Sequence, residues 1–185
     1  MVSIIGHRGG RNLWPENSLA GFRNLAALPV EGVEFDVHLT RSGELAVIHD
    51  ATLDRTTDHD GPVADLTPEA RRKVRLNDSD GESVPTLEDV LSIYEPTGLE
   101  LHIELKTDAA GMVYPGLEAR VAEEVARFGL AERSILTSFH PDVLSAVRET
   151  APHLRTLSSF DRKSAERLGL VAGLQRMLAL SDIIA

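Results

Sequence analysis

The chain has 185 residues, 42% of them hydrophobic, enough for one sizeable core. Its formal net charge of -10 excludes the basic footprint of nucleic-acid binding, though not an anionic small substrate held beside a metal ion. It has no cysteine for disulfides or thiolate metal sites, and its apolar runs fall short of the roughly 20 residues that span a bilayer, so a cytoplasmic protein without an integral membrane segment is expected.

In chain order, Val2–Ile5 reads as a strand, followed by the glycine-rich turn His7-Arg8-Gly9-Gly10. Ser18–Leu28 reads as a helix capped by Asn17 or Ser18. Gly32–Leu39 is a strand, Arg41-Ser42-Gly43 a turn, and Glu44–His49 a third strand. Residues 50–85 are loop-rich, with a short helix near Pro68–Val74. Thr86 and Asp89 have the spacing of a capping box and open the next helix. Leu99–Lys106, Ser134–Ser138 and Leu154–Ser158 read as strands, alternating with helices over Tyr114–Phe128, Pro141–Thr150 and Ser164–Leu178. Asp182–Ala185 begins a further strand.

Strands alternating with helices imply an α/β protein with a mainly parallel sheet. Side chains alternate along a strand, so Val33, Phe35, Val37 and Leu39 share one face while Glu34, Asp36 and His38 share the other. Leu99, Leu101, Ile103 and Leu105 likewise oppose Glu100, His102, Glu104 and Lys106. An open parallel sheet covered on both faces would read as continuous apolar runs. One apolar and one polar face fits a barrel with chemistry at its rim; half-exposed strands of an antiparallel sheet are the competing reading.

Glu34 and Asp36 are two residues apart on one strand, so their carboxylates point the same way and repel unless a cation sits between them. Glu104 on a second polar-faced strand is the natural third carboxylate, and hard oxygen ligands select Mg²⁺ or Ca²⁺. Lys106 and Arg8 are candidate phosphate ligands, one a point charge and the other a planar fork. His7 and His49, each ending a β-run, are candidate proton carriers, because imidazole titrates near neutrality. Each signal alone has a bland reading: a structural histidine, a solvated acidic face, a helix-capping Asn17. Trp14 either walls the entrance or packs on the barrel top, and Asp50 and Arg55 are placed to pair beside His49.

Taken in order, His7-Arg8-Gly9, Pro15-Glu16-Asn17-Ser18, Glu34-Phe35-Asp36-Val37 with Thr40-x-x-Gly43, and His49-Asp50 with Leu53-x-Arg55-Thr56-Thr57 resemble the glycerophosphodiester phosphodiesterases. Pro85-Thr86-Leu87 and Ile103-Glu104-Leu105-Lys106 continue the match; Ser138-Phe139 and Ser181-Asp182 are less specific.

The resemblance implies a (β/α)₈ TIM barrel forming one domain over residues 1–185, with a small insertion after strand 3 at residues 51–96. It implies hydrolysis of glycerophosphodiesters to sn-glycerol 3-phosphate and an alcohol. His7 and His49 would be the acid–base pair, Arg8 and Lys106 the phosphate ligands, and Glu34, Asp36 and Glu104 the ligands of one divalent metal ion, Mg²⁺ or Ca²⁺. A tethered glycerol hydroxyl or a water molecule could attack; the tethered route benefits from high effective molarity. Two alternatives stand beside this: lysophospholipase D-like action on lysophospholipids, and a non-catalytic, anion-binding barrel. Because (β/α)₈ barrels typically need about 250 residues, the barrel is expected to be C-terminally incomplete, with the last strand and helices missing. Its open edge then offers a route to self-association.

Overall fold

The computed structural model describes residues 3–161 together with Gln175, Ala179, Ile183 and Ile184. Strands β1 (Ile5–Gly6), β2 (Gly32–Leu39) and β3 (Leu45–Val47) are followed by β4 (Glu100–Leu105), β5 (Ser134–Ser138), β6 (Arg155–Ser158) and β7 (Ile183–Ile184). The helices are α1 (Leu19–Ala26), α2 (Pro68–Arg71), α3 (Leu87–Tyr94), α4 (Leu117–Arg127) and α5 (Pro141–Thr150). The helix expected over Ser164–Leu178 falls largely outside the described residues.

The sheet order is β1-β2-β4-β5-β6-β7, and every pair along that path is parallel. Register places Glu34 beside His102, Asp36 beside Glu104 and Glu104 beside Thr137. Polar side chains of β2 and β4 therefore meet at one height near the C-terminal strand ends. Among the described strands, β1 and β7 each have one neighbour along this path.

The apolar faces of β2 and β4 pack under α1, α3 and α4 in the main core, where Phe22, Phe35, Leu87, Tyr94 and Ile103 are fully buried. Burial of such side chains from water is the dominant driving force for this layering. Phe22 stands edge-on to Phe35 at 5.7 Å and to Tyr94 at 6.1 Å, and the Tyr94 hydroxyl donates to the Phe22 carbonyl. These contacts fix α1 and α3 on the outer face of β2. The opposite face of β2 is buried as well, not solvated: Asp36 and His38 are both 0% exposed.

Helix starts follow local chemistry. Ser18, rather than Asn17, caps α1 by accepting from the Gly21 amide. Thr86 and Asp89 form the expected capping box of α3. Glu82 also reaches α1, accepting from the Leu19 and Ala20 amides at 2.7 and 3.0 Å, and so ties the segment before α3 to the first helix.

Two features depart from the sequence-based expectation. First, β3 runs antiparallel to β2, pairing Val37 with Val47 and Leu39 with Leu45. The turn around Gly43 (φ 89°) makes a hairpin, which is all that so short a connection permits; a parallel strand needs a crossover of a dozen or more residues. Second, residues 51–96, expected as one insertion, divide between two cores. Leu53, Val63, Leu66, Val74, Leu76 and Val84 join Ala46 and Ile48 in a small separate cluster, whereas α3 belongs to the main core. Arg71 binds Glu44 through two contacts of 3.2 Å and the Val84 carbonyl at 2.7 Å, fastening the small cluster to the hairpin.

Candidate active site

A cleft of about 650 Å³ opens among the C-terminal strand ends and is lined by His7, Arg8, Glu34, His49, Glu104 and Lys106, with Ile5, His102 and Phe139 further along its wall. Asp36 is buried beside Glu34 and Glu104. Ligand oxygens of these three carboxylates lie within 4.8 Å of one another, so they could hold a metal ion.

The triad is under electrostatic stress. Burial and the Asp36 charge push Glu34 up to about 8, and burial with Asp36 raises Glu104 against the pull of Lys106. Lys106 Nζ lies 2.7 Å from Glu104 and 3.4 Å from Asp36. Burial alone would lower the ammonium, yet the charges of Glu104 and Asp36 raise it overall. Asp36 Oδ2 accepts from Asn17 at 3.0 Å and has Arg8 Nε at 3.7 Å. Glu34 Oε2 accepts from the Arg8 amide at 2.9 Å. Glu34 Oε1 and Asp36 Oδ1 remain buried without a hydrogen bond. Asp36 Oδ1 has only the Lys106 ammonium at 3.4 Å and Glu34 Oε1 has no partner; such under-satisfied buried oxygens are costly, and a hard cation satisfies them.

His7 follows β1 directly, in a tight turn where Arg8 has φ 50° and Gly9 φ 68°. A side chain at Gly9 would collide with the Phe22 ring. The left-handed Arg8 is a strained conformation of the kind that collects at ligand sites. It aims its amide at Glu34 and its guanidinium toward Glu16 and Asp36. The His7 ring sits 3.6 Å from Glu34; partial burial and the charges of Arg8 and Arg11 lower its pKa and favour the neutral imidazole.

His49 arrives from the other direction, because β3 descends toward the cleft instead of ending at the rim. Its Nδ1 meets Asp50 Oδ1 at 2.7 Å, which directs Nε2 away as the free nitrogen. Burial opposes ionisation of Asp50, but hydrogen bonds from Arg55 and His49 outweigh it and hold the carboxyl at about 2. The His49 carbonyl contacts His38 Nε2 at 3.2 Å, and His38 Nδ1 contacts the Tyr114 hydroxyl at 2.9 Å. Burial drives His38 down to about 4, so it is a neutral hydrogen-bonding brace behind His49.

The structure thus brings together in one site all seven residues singled out for chemistry. It also gives roles to three supporting residues, of which the sequence places Glu16 and Asn17 only as fasteners of the first loop. Asn17 has φ 54° and a buried amide on Asp36, although capping seemed the simpler role. Glu16 binds both Arg8 and Arg55, and Tyr114 supports His38. The left-handed tendency of asparagine before a capping serine was the available signal for Asn17; Tyr114 left none. His102 bonds Glu100 at 2.8 Å, His59 bonds Asp58, and Trp14 packs against Gly10 and the main core.

Parallel strands backed by helices, with polar groups gathered at their C-terminal ends, define a TIM-barrel protein with an acidic, histidine-flanked rim site. The chain belongs to the glycerophosphoryl diester phosphodiesterase family, whose model matches residues 7–179. It is 36% identical over 157 residues to a glycerophosphodiester phosphodiesterase from Caldanaerobacter subterraneus, covering 82% of this chain and 64% of that protein. It is also 36% identical over 162 residues to glycerophosphodiester phosphodiesterase 1 of Bos taurus, covering 84% of this chain and 48% of the bovine one. The crystal structure of glycerophosphodiester phosphodiesterase from Agrobacterium tumefaciens superposes with a TM-score of 0.78 at 28% identity, over 100% of this chain and 75% of the other. A second solved structure from that organism reaches a TM-score of 0.91 at 29% identity, over 100% of this chain and 74% of the other. The chain therefore spans less than two thirds of the length of these two relatives. Among the described residues, no helix is long and apolar enough to cross a membrane.

Proposed function

We propose that this chain hydrolyses glycerophosphodiesters to sn-glycerol 3-phosphate and an alcohol, using one divalent cation, Mg²⁺ or Ca²⁺, held by Glu34, Asp36 and Glu104. The observation that carries this reading is the buried carboxylate triad, with Glu34 Oε1 left without a partner, flanked by two histidines, in a chain of this family. Bound there, the cation would supply charge that polarises a phosphoryl oxygen and eases deprotonation of the attacking group, either water or the diester's own glycerol hydroxyl, the latter route leaving a cyclic phosphate that water then opens. The protein's own groups do the rest. Arg8 and Lys106 bind the phosphate oxygens and orient the diester. His7, held neutral by its surroundings, accepts a proton at Nε2. His49, with Nδ1 secured by Asp50, donates one at Nε2 to the departing alkoxide.

Product identity tests this reading. With Mg²⁺ or Ca²⁺, glycerophosphocholine should yield sn-glycerol 3-phosphate and choline, measured by enzymatic detection of both. Turnover of lysophosphatidylcholine alone, or of neither compound, contradicts the reading.

Metal binding should also depend on pH, with a sign set by Glu34. Its pKa in the fold is raised, so stability is fully present below the unfolded carboxylate value and is lost as pH rises toward about 8. A cation favours the ionised form and must displace the proton at lower pH. The rise in melting temperature at fixed Mg²⁺ or Ca²⁺ should therefore be larger at about pH 8.5 than at about pH 5.5. An increment that does not change with pH would count against Glu34 as a ligand.

A further inference from the structure

One network reaches the cleft only through His49 and Arg8 and is not consumed by the proposed chemistry, and Arg55 lies at its centre. Arg55 Nη2 and Nη1 donate to Glu16 Oε1 and Oε2 at 2.6 and 3.0 Å, and its Nε donates to Asp50 Oδ2 at 2.5 Å. The other Asp50 oxygen holds His49 Nδ1 at 2.7 Å. Glu16 Oε1 also accepts from Arg8 Nη1 at 3.3 Å. Five side chains, His49, Asp50, Arg55, Glu16 and Arg8, form a continuous chain of charge-assisted contacts.

Arg55 is 49% exposed, and a lone ion pair so placed contributes little. Three features set this one apart. The grip on Glu16 is two-pronged, which suits a guanidinium and not an ammonium. Both carboxylates it holds are already committed to residues lining the cleft. Its backbone is anchored in the small core: Leu53 is buried there, Thr57 Oγ1 donates to the Leu53 carbonyl at 2.9 Å, and the Asn77 amide donates to the Thr56 carbonyl at 2.9 Å.

We propose that Arg55 is a positioning residue that couples the imidazole of His49 to the guanidinium of Arg8. The residues that fold on the small core thereby set the geometry of both. The assignment of proton transfer to His49 and phosphate binding to Arg8 rests on the function proposed above; the coupling itself does not.

The test uses Arg55→Met and Arg55→Lys in the full chain, each confirmed folded by its melting curve. Two readouts are independent of turnover: the ¹⁵N spectrum of the His49 ring, and binding of inorganic phosphate in the presence of Mg²⁺. In the parent protein the His49 Nδ1 proton should stay locked on Asp50, in the neutral and the imidazolium ring alike. In Arg55→Met the ring should average between tautomers and phosphate affinity should fall about tenfold. Arg55→Lys should rescue neither readout fully, because an ammonium cannot span both carboxylates in this geometry. Should Arg55→Met not fold, Arg55→Lys carries the same comparison. Glu16→Gln should also disturb the His49 spectrum in the parent, and should leave it unmoved once Arg55 is replaced. An unchanged His49 spectrum with unchanged phosphate affinity in a folded Arg55 variant overturns the coupling. If the readouts move as expected but glycerophosphocholine is not hydrolysed, the coupling stands and the proposed activity falls.

Discussion

His49→Ala should lower kcat for glycerophosphocholine by about 10²–10⁴-fold while the protein remains folded. The ring lies on the cleft with Nδ1 committed to Asp50, so truncation removes the proposed proton carrier and leaves the carboxylate triad untouched. His7→Ala should cause a loss of similar size, since His7 stands at the opposite end of the proposed proton path. Steady-state kinetics at saturating metal checks both. Full activity in either variant removes that histidine from the role. Asp50→Asn should fall between His49→Ala and the parent, because it retains a hydrogen-bond partner for Nδ1 but loses the charged link to Arg55 that holds that partner in place.

The second large effect concerns stability. Lys106→Met should destabilise the metal-free protein by about 3–5 kcal/mol, the usual consequence of stranding a buried charge. Lys106 Nζ contacts both Glu104 and Asp36, and its side chain is only 15% exposed. Methionine fills the same volume but leaves three carboxylates facing one another. Mg²⁺ or Ca²⁺ at the triad should restore a large share of the loss, because it replaces the missing positive charge. Urea unfolding with and without metal provides the measurement. A midpoint equal to that of the parent, or a loss that metal does not reduce, contradicts this picture of the triad.

Much of the site was legible because strand alternation is local. Glu34 and Asp36 had to share a face once Gly32–Leu39 was a strand, and Glu104 had to match them if Leu99–Lys106 was another; the observed register pairs Asp36 with Glu104. The ends of β2, β5 and α5 coincide with their sequence-based bounds, since capping residues, glycine turns and proline at a helix start act over a few residues. The direction of β3 was less evident because composition does not encode a strand's partner. The short turn at Arg41-Ser42-Gly43 did carry that information, as it cannot support a parallel crossover. The Glu16–Arg55 contact spans 39 positions and Asn17–Asp36 spans 19. Such pairings are decided by tertiary packing, so residue type alone pointed to capping for Asn17. The split of residues 51–96 has the same origin: α3 carries an apolar stripe of ordinary spacing, and the position of β2 determines which core receives it.

In the proposed function the buried carboxylates work with a bound divalent cation to cleave a glycerophosphodiester. Turnover of glycerophosphocholine should be followed after exhaustive chelation and again on return of Mg²⁺ or Ca²⁺, in the parent chain and in Glu104→Gln. The expected result is loss of sn-glycerol 3-phosphate release on chelation, recovery on adding metal back, and a shift of the Glu104→Gln recovery curve to higher metal concentration. Undiminished turnover in the chelated protein would contradict it.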